Sequence, residues 1–151
     1  MQENETDWGM DPEFLKRDAI RRTGRPVEIV RTGRLLIRET ADADIPDLYR
    51  IGTDAAVSKY MEPMQPTLEE EIGYTKAYVR HMYAFYDFGL WTVLEKNASG
   101  QGHIIGRAGL FPSERLDGQI EMGYMIASAC QGNGYGKEAA EAGKFRNCIE
   151  F

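Results

Sequence analysis

The sequence predicts one α/β (α+β) domain, with a mixed but mainly antiparallel sheet flanked by helices. Three observations point to this fold class. Residues 90–126 contain three short apolar runs separated by turn residues, which is typical of an antiparallel meander. Residues 67–86 repeat apolar side chains every three or four positions, as an amphipathic helix does. Residues 131–137 form a glycine-rich turn between the last of these strands and another helix-forming stretch.

The composition excludes several classes of protein. A chain of 151 residues with 42% hydrophobic and 28% charged residues is typical of one globular domain. The formal net charge of −6, without a basic stripe, argues against nucleic-acid binding and mildly favours a cationic partner such as an amine. There is no signal peptide and no apolar run near about 18 residues, so we expect a cytoplasmic protein that does not bind membranes. Cys130 and Cys148 lack metal-ligand spacing, so no metal site is expected.

Residues 1–26 are predicted to be an N-terminal extension or linker, and residues 27–151 to form the domain. Within the extension, Asp11 and Pro12 favour a short helix over residues 11–20, with Asp11 as its N-cap. A cloning remnant, a linker from an upstream domain and a packed arm all fit this segment.

The first part of the domain is predicted to be a strand followed by a short helix. The apolar alternation of residues 27–39 indicates one strand with a better-buried face. Asp42 and Asp44 are predicted to cap the short helix, which should extend to Gly52. Pro63 and Pro66 then predict a loop.

The next element is predicted to be an amphipathic helix of about 20 residues. It should begin with a capping box formed by Thr67 and Glu70. Glu71 is expected to point away from the core, and His81 to be structural or exposed. The aromatic residues are expected to be core packing rather than an acceptor pocket. The predicted inner face consists of Leu68, Ile72, Thr75, Val79, Met82 and Tyr86.

In the meander, strand alternation places Glu121 on the same face as Gly123 and Met125. Glu121 is therefore either a semi-buried carboxylate or a solvent-facing one, and the pattern leaves both open. Gly106 and Gly109 would weaken their strand unless they mark a bulge or a close backbone approach.

The glycine turn reads Gln131-Gly132-Asn133-Gly134-Tyr135-Gly136-Lys137. Free N–H groups at a helix N-terminus make an anion site, and a phosphate-bearing ligand is the natural candidate. An ordinary strand-to-helix turn is the alternative. The spacing excludes a P-loop, since residue 131 is not glycine and residue 138 is not serine or threonine. It also excludes the dinucleotide fingerprint, whose third glycine would fall on Lys137.

Residues 131–136 match the Q/R-x-x-G-x-G/A motif of the GNAT acetyltransferases, and residues 120–126 resemble the strand that carries it. Residues 32–39 also resemble the opening strand of the ribosomal-protein alanine N-acetyltransferases. The order of elements agrees over about residues 27–147, so the chain is identified as resembling this family.

The resemblance implies an acyltransferase that uses acetyl-CoA as co-substrate and acetylates a primary amine by direct attack, without a covalent enzyme intermediate. The acceptor would be a protein N-terminal α-amine or a small-molecule amine. Glu121 is the candidate base, and a covalent role for Cys130 is disfavoured because no paired histidine pattern accompanies it. A strand N–H near Ile126 is expected to stabilise the developing oxyanion. The implied cofactor-binding residues are Met125 and Ile126 for the pantetheine arm, Gln131 at the start of the motif, and Gly132, Asn133, Gly134, Tyr135, Gly136 and Lys137 for the pyrophosphate.

The sequence departs from the family where it stops at Phe151. A complete domain continues with another strand, a helix carrying the tyrosine proposed as general acid, and closing strands. An unpaired strand edge favours self-association, so a homodimer through that edge is one expectation. The alternative function is a non-catalytic CoA-binding or self-association module derived from the same fold.

Overall fold

The computed structural model describes residues 11–59, 61, 63–97, 102–112 and 119–144. Their strands form one antiparallel sheet in sequential order. The strands are β1 (Glu28–Arg31), β2 (Leu35–Arg38), β3 (Leu90–Lys96), β4 (Gly102–Pro112) and β5 (Ile120–Ile126). The helices are α1 (Pro12–Arg22), α2 (Ile45–Thr53), α3 (Ala55–Ser58), α4 (Leu68–Tyr86) and α5 (Tyr135–Lys144). The predicted fold class and the meander of β3, β4 and β5 are confirmed.

The prediction of a single strand over residues 27–39 is wrong. The chain turns between β1 and β2, where the Thr32 N–H donates to the Leu35 carbonyl oxygen over 2.8 Å. The Leu35 N–H donates to the Thr32 hydroxyl over 2.9 Å. Leu35, Leu36 and Ile37 are all buried, because β2 lies inside the sheet and both its faces are covered.

The core occupies both faces of the sheet. On one face Trp91, Leu110 and Ile126 belong to the same buried cluster as Ala139 and Ala142 of α5. On the other face Met125 packs with Leu48 and Ile51 of α2 and with Val57 of α3. Neighbouring residues of β5 therefore point to opposite faces, as the predicted alternation requires.

Helix α4 has 19 residues, close to the predicted length, but the prediction of its inner face is partly wrong. Thr75 and Met82 are buried as expected, whereas Leu68 is 37% exposed and Tyr86 is 39% exposed. Glu71, predicted to point outward, is buried. Its carboxylate accepts the Gln65 N–H and the Thr75 hydroxyl, each over 2.9 Å, and these bonds compensate its lost hydration.

The helix caps also differ in detail from the prediction. Thr67 caps α4 by accepting the Glu70 N–H over 3.1 Å, while the Glu70 carboxylate accepts the Thr67 hydroxyl. Asp44 does not cap α2 with its side chain. Its buried carboxylate instead accepts two hydrogen bonds from Arg38, at 2.7 and 3.0 Å, and one from the hydroxyl of Thr92.

Helix α1 forms where the sequence predicts it, with the Asp11 carboxylate accepting the Glu13 N–H over 3.0 Å. Arg17 and Arg21 of this helix pair with Asp87, and Arg21 also pairs with Glu39. Residues 12–22 are therefore joined to the domain by ion pairs, whichever of the three interpretations of this segment applies.

Two glycines of β4 lie where another segment of the backbone comes close. A Cβ on Gly106 would lie 1.8 Å from the Met125 carbonyl oxygen, and one on Gly109 would lie 2.0 Å from the Gly89 carbonyl oxygen. The register also shifts beside Gly106, so the predicted bulge and close approach are both confirmed. No helix in the described part of the chain combines the length and the apolar character needed to span a membrane.

Candidate active site

A cleft of about 550 Å³ opens where β5 ends and α5 begins. Eight of the nine predicted cofactor-binding residues line it, and Asn133 is the exception. Val57, Met61 and Tyr124 contribute further apolar and aromatic surface. The strand end and the glycine turn thus share one space, as the family resemblance implied.

Each glycine of the turn is needed for a different structural reason. Gly132 and Gly134 have φ angles of +85° and +80°, the left-handed region that glycine adopts without strain. Gly136 lies inside α5, where a Cβ would come within 2.4 Å of the Tyr124 ring. The first two glycines shape the turn, and the third lets the helix pack against β5.

The turn leaves a row of backbone donors without acceptors. The Gly134 carbonyl oxygen accepts the Glu138 N–H over 3.0 Å, which begins the helical hydrogen-bonding of α5. The N–H groups of residues 132–137 donate to no described residue. They lie at the positive end of the helix dipole, so the turn is suited to bind an anion.

Gln131 and Asn133 brace this turn through their side chains. The Gln131 amide donates to the Ile126 carbonyl oxygen over 3.0 Å, which ties the turn to the end of β5. The Asn133 amide donates to the Cys130 carbonyl oxygen over 3.0 Å. Both residues therefore act on the shape of the turn, whatever their backbone groups bind.

Two cations flank the N-terminus of α5. Lys137 is exposed on its first turn. The other cation, Arg34, pairs with Glu138 over 2.7 Å and lies 4.2 Å above the centre of the Tyr135 ring. Burial alone would raise the pKa of Glu138, but hydrogen bonds from Thr32 and Arg34 hold it below its usual value. No sequence signal joins Arg34 to Glu138, because they are 104 positions apart.

Tyr135 anchors the turn to the sheet. Its ring is buried, and its hydroxyl donates to the Glu95 carboxylate. That hydrogen bond raises the pKa of Tyr135, so the phenol remains protonated. The contribution of Tyr135 to an anion site is therefore its backbone N–H rather than its side chain.

The outer edge of β5 is the second part of the site. The Ala127 N–H donates to the Ile105 carbonyl oxygen over 2.7 Å, and Met125 is paired with Arg107. In an antiparallel pair the intervening residues, Tyr124 and Ile126, direct their backbone polar groups away from the partner strand. These groups reach the sheet edge next to the cleft.

Glu121 is partly buried and paired with Phe111 of β4. It shares a face with Met125, which agrees with the semi-buried interpretation rather than the solvent-facing one. Four residues separate the two, or roughly 13 Å along the strand. The structure thus gathers the predicted cofactor residues at one end of β5 and places the candidate base towards the other.

Cys130 borders the cleft, but its environment disfavours a nucleophilic role. Partial burial and the nearby Glu95 raise the pKa of the thiol. The reactive form of cysteine is the thiolate, so this cysteine is less reactive than a free one at neutral pH. Within the described ranges, no group of three or more His, Cys, Asp and Glu side chains is placed to hold a metal ion.

Several solved structures that resemble this fold are described as acetyltransferases. One, described as a GNAT-family acetyltransferase from Bordetella pertussis, superimposes with a TM-score of 0.61 at 22% identity, covering 78% of this chain and 70% of that one. One described as a ribosomal-protein-serine acetyltransferase from Vibrio cholerae has a TM-score of 0.61 at 21% identity, with coverages of 82% and 67%. RimL, a ribosomal L7/L12 α-N-protein acetyltransferase, has a TM-score of 0.65 at 14% identity, with coverages of 83% and 66%. The present chain thus spans about two thirds of the length of each.

These identities establish likeness of fold. Independently, a sequence profile of the acetyltransferase (GNAT) domain matches residues 34–148, about three quarters of the chain. The match includes the strand β5, the glycine turn and the helix α5 that together form the cleft. The chain belongs to the GNAT acetyltransferase family.

Proposed function

We propose that this chain is an N-acetyltransferase that moves an acetyl group from acetyl-CoA to a primary amine. The observation that carries the proposal is the row of N–H groups at residues 132–137, which donate to no described residue and border a cleft continuous with the edge of β5. A donor row at a helix N-terminus suits a pyrophosphate, and an exposed strand edge suits an extended amide-containing arm.

The residues present fit the co-substrate. The N–H groups of residues 132–137 would hold the pyrophosphate, with Lys137 adding a positive charge. The backbone groups of β5 around Met125 and Ile126 would hold the pantetheine arm. When bound, the co-substrate supplies an acetyl group activated as a thioester.

The acceptor amine must lose its proton before it can attack. For a lysine-like amine with a pKa of about 10.4, deprotonation at pH 7 costs roughly 4.6 kcal/mol. For an α-amine with a pKa of about 7.7–8.0 the cost is only about 1–1.4 kcal/mol. An α-amine acceptor, such as a protein N-terminus or a small molecule, therefore needs only modest help from a base.

Glu121 is the proposed base. Its carboxylate would take the proton from the acceptor ammonium, directly or through one water. At the other end of β5 the Ile126 N–H is directed to the strand edge, where it would donate to a carbonyl oxygen that gains negative charge. The roles of binding, proton removal and charge stabilisation are thus distributed along a single strand.

The test combines calorimetric titration with acetyl-CoA and a thiol-release assay across amines and peptides. We expect Glu121→Gln to bind acetyl-CoA normally and to lose about 10²–10⁴-fold in turnover. Glu69→Gln, on the exposed first turn of α4, is the matched control and should change neither quantity. Full turnover of the Glu121 variant would remove it as the base. Absence of acetyl-CoA binding together with a stable oligomer would refute the enzyme proposal in favour of a self-association module.

A further inference from the structure

The ion pair between Arg34 and Glu138 lies beside the turn that the proposed function assigns to the pyrophosphate. Glu138 belongs to the first turn of α5, and its N–H donates to the Gly134 carbonyl oxygen. The Arg34 Nη2 atom lies 3.6 Å from the position of a Cβ on Gly134, and the guanidinium stacks on the Tyr135 ring. Any charge that this pair leaves uncompensated therefore acts on an anion held by the N–H groups of residues 132–137.

Glu138 on its own is unfavourable for an anion site. A carboxylate in the first turn of a helix is stabilised by the helix dipole, so it competes with a bound anion for the same positive end. Helix side chains tilt towards the helix N-terminus, which brings the Glu138 carboxylate towards the turn. Burial raises the pKa of Glu138, but hydrogen bonds from Thr32 and Arg34 hold that pKa below its usual value, so the group is ionised at neutral pH. An anion site here thus needs a compensating positive charge.

The turn between β1 and β2 supplies this charge. The Glu138 Oε1 atom accepts hydrogen bonds from Nε and Nη2 of Arg34, at 2.8 and 2.7 Å. The Oε2 atom accepts the Thr32 hydroxyl and, over 3.3 Å, the backbone N–H of Arg34. Four donors from one turn therefore hold the carboxylate at the β1–β2 turn.

The β1–β2 turn is itself fixed to the sheet. The Lys96 N–H at the end of β3 donates to the Arg34 carbonyl oxygen over 2.8 Å. The Lys96 ammonium donates to the Thr32 carbonyl oxygen over 2.5 Å. On the other side of the guanidinium, the Tyr135 ring is held by the hydrogen bond from its hydroxyl to Glu95. Both the backbone and the side chain of Arg34 are thus held in place.

We infer that Arg34 is a positioning residue for phosphate binding, which holds the Glu138 carboxylate at the β1–β2 turn and cancels its charge. This inference rests on the proposed function, because it states how the pyrophosphate site of that function stays positive. With the pair neutral, the N–H groups of residues 132–137 and the Lys137 ammonium face the anion without an opposing charge. Arg34 does not line the cleft, so it acts through Glu138 rather than by touching the anion.

A purely structural role for the ion pair leads to a different expectation. If the pair only fastens α5 to the sheet, replacing either residue loosens the turn, and both variants bind an anion more weakly. If the pair compensates charge, the two replacements have opposite effects. Glu138→Gln separates these cases, because its amide oxygen can still accept hydrogen bonds from Thr32 and Arg34 while the negative charge is lost.

The experiment measures binding of inorganic pyrophosphate and of acetyl-CoA by titration calorimetry, at about 0.05 and 0.5 M salt. The variants are Arg34→Gln, Arg34→Lys, Glu138→Gln and the double variant Arg34→Gln/Glu138→Gln. Glu141→Gln is the matched control, because it removes the same charge from an exposed position one turn further along α5. Chemical denaturation gives the stability of each variant.

At low salt we expect Arg34→Gln to weaken pyrophosphate binding by about two- to fivefold and Glu138→Gln to tighten it by a similar factor. The double variant should return to within about twofold of the wild-type chain, because the two changes in charge cancel. Arg34→Lys keeps the charge and should stay closer to the wild-type chain than Arg34→Gln does. Glu141→Gln should have a smaller effect than Glu138→Gln, and high salt should reduce every difference.

Stability gives a second readout that a structural role would not produce. Glu138→Gln should unfold more easily than the wild-type chain, because α5 loses an acid from its first turn, and yet it should bind pyrophosphate more tightly. Equal or weaker binding by Glu138→Gln overturns the inference. A double variant that binds as weakly as Arg34→Gln also overturns it, because Arg34 would then contact the anion itself.

The two anions separate this inference from the proposed function. Tighter pyrophosphate binding by Glu138→Gln supports the role of Arg34 even if acetyl-CoA does not bind, a result that refutes only the proposed function. If Arg34→Gln does not fold, Glu138→Gln and Arg34→Lys decide the matter. A chain that binds neither anion, as wild type or as any variant, overturns both.

Discussion

Replacing Gly132 or Gly134 by alanine tests whether the left-handed turn is what presents the N–H groups to an anion. Their φ angles of +85° and +80° cost an L-residue about 1–2 kcal/mol each. Collisions add nothing to this cost, because a Cβ on Gly132 meets no atom within 4 Å. A Cβ on Gly134 has Arg34 Nη2 at 3.6 Å, an ordinary contact. Each variant should therefore lose about 1–2 kcal/mol of unfolding free energy if the turn keeps its shape.

If the turn relaxes instead, the strain is relieved but the N–H groups rotate away from the anion. The same 1–2 kcal/mol then appears in binding, as about a 5- to 30-fold loss of acetyl-CoA affinity. Chemical denaturation measures the first outcome and calorimetric titration measures the second. Gly73→Ala is the matched control, since Gly73 is an exposed position inside α4 without a positive φ. It should gain about 0.5–1 kcal/mol of stability and leave binding unchanged.

If both turn variants kept the stability and the acetyl-CoA affinity of the wild-type chain, the left-handed turn would not be what presents the N–H groups. A loss of affinity in Gly73→Ala as large as in the turn variants would lead to the same conclusion, because the effect would then not depend on the turn.

Three further predictions concern the charge network of α1 and the cysteine beside the cleft. Arg21→Met should cost about 3–5 kcal/mol in unfolding free energy, because the Glu39 carboxylate is only 3% exposed and loses its partner. Arg17→Met should cost much less, because Asp87 is still paired with Arg21. Equal losses in the two variants would contradict this. Burial alone would raise the pKa of Asp87, but hydrogen bonds and charge from Arg17 and Arg21 hold that pKa below its usual value. The Asp87 carboxylate therefore stabilises the fold at neutral pH, and this stabilisation is lost as the pH falls below about 4. Asp87→Asn should flatten the acid limb of a stability-versus-pH curve, and an unchanged limb would count against this role. Cys130→Ala should retain turnover within about twofold in the thiol-release assay, since burial raises the pKa of the thiol, and abolished turnover would revive a covalent mechanism.

Features that depend on interactions between residues close together in the sequence could be predicted. The glycines at positions 132 and 134 follow from a turn that needs positive φ, and the structure has it there. The alternation along β5 follows from the pleat alone, which places Met125 and Ile126 on opposite faces of the sheet. Asp11 and Thr67 each cap a helix within three residues of themselves. In each case the interacting groups are neighbours in sequence.

Features that depend on distant partners could not be predicted. A glutamate in a helix is expected to face water, and only the Gln65 N–H and the Thr75 hydroxyl explain why Glu71 is buried. The position of Asp44 before α2 predicts a helix cap, but in the structure its carboxylate accepts hydrogen bonds from Arg38 of β2 and Thr92 of β3. Local pattern thus predicted that the end of β5 and the glycine turn lie together, whereas the pairing of Arg34 with Glu138 beside them could not be predicted.

Helix α1 buries none of its side chains completely and is fastened mainly through two arginines and two carboxylates. Its detachment exposes little apolar surface, so that opening carries a small heat-capacity change and depends only weakly on denaturant. Hydrogen exchange in α1 would then follow a local opening distinct from global unfolding. The arm and the sheet are in this sense two cooperative units, joined by charge rather than by a shared apolar core.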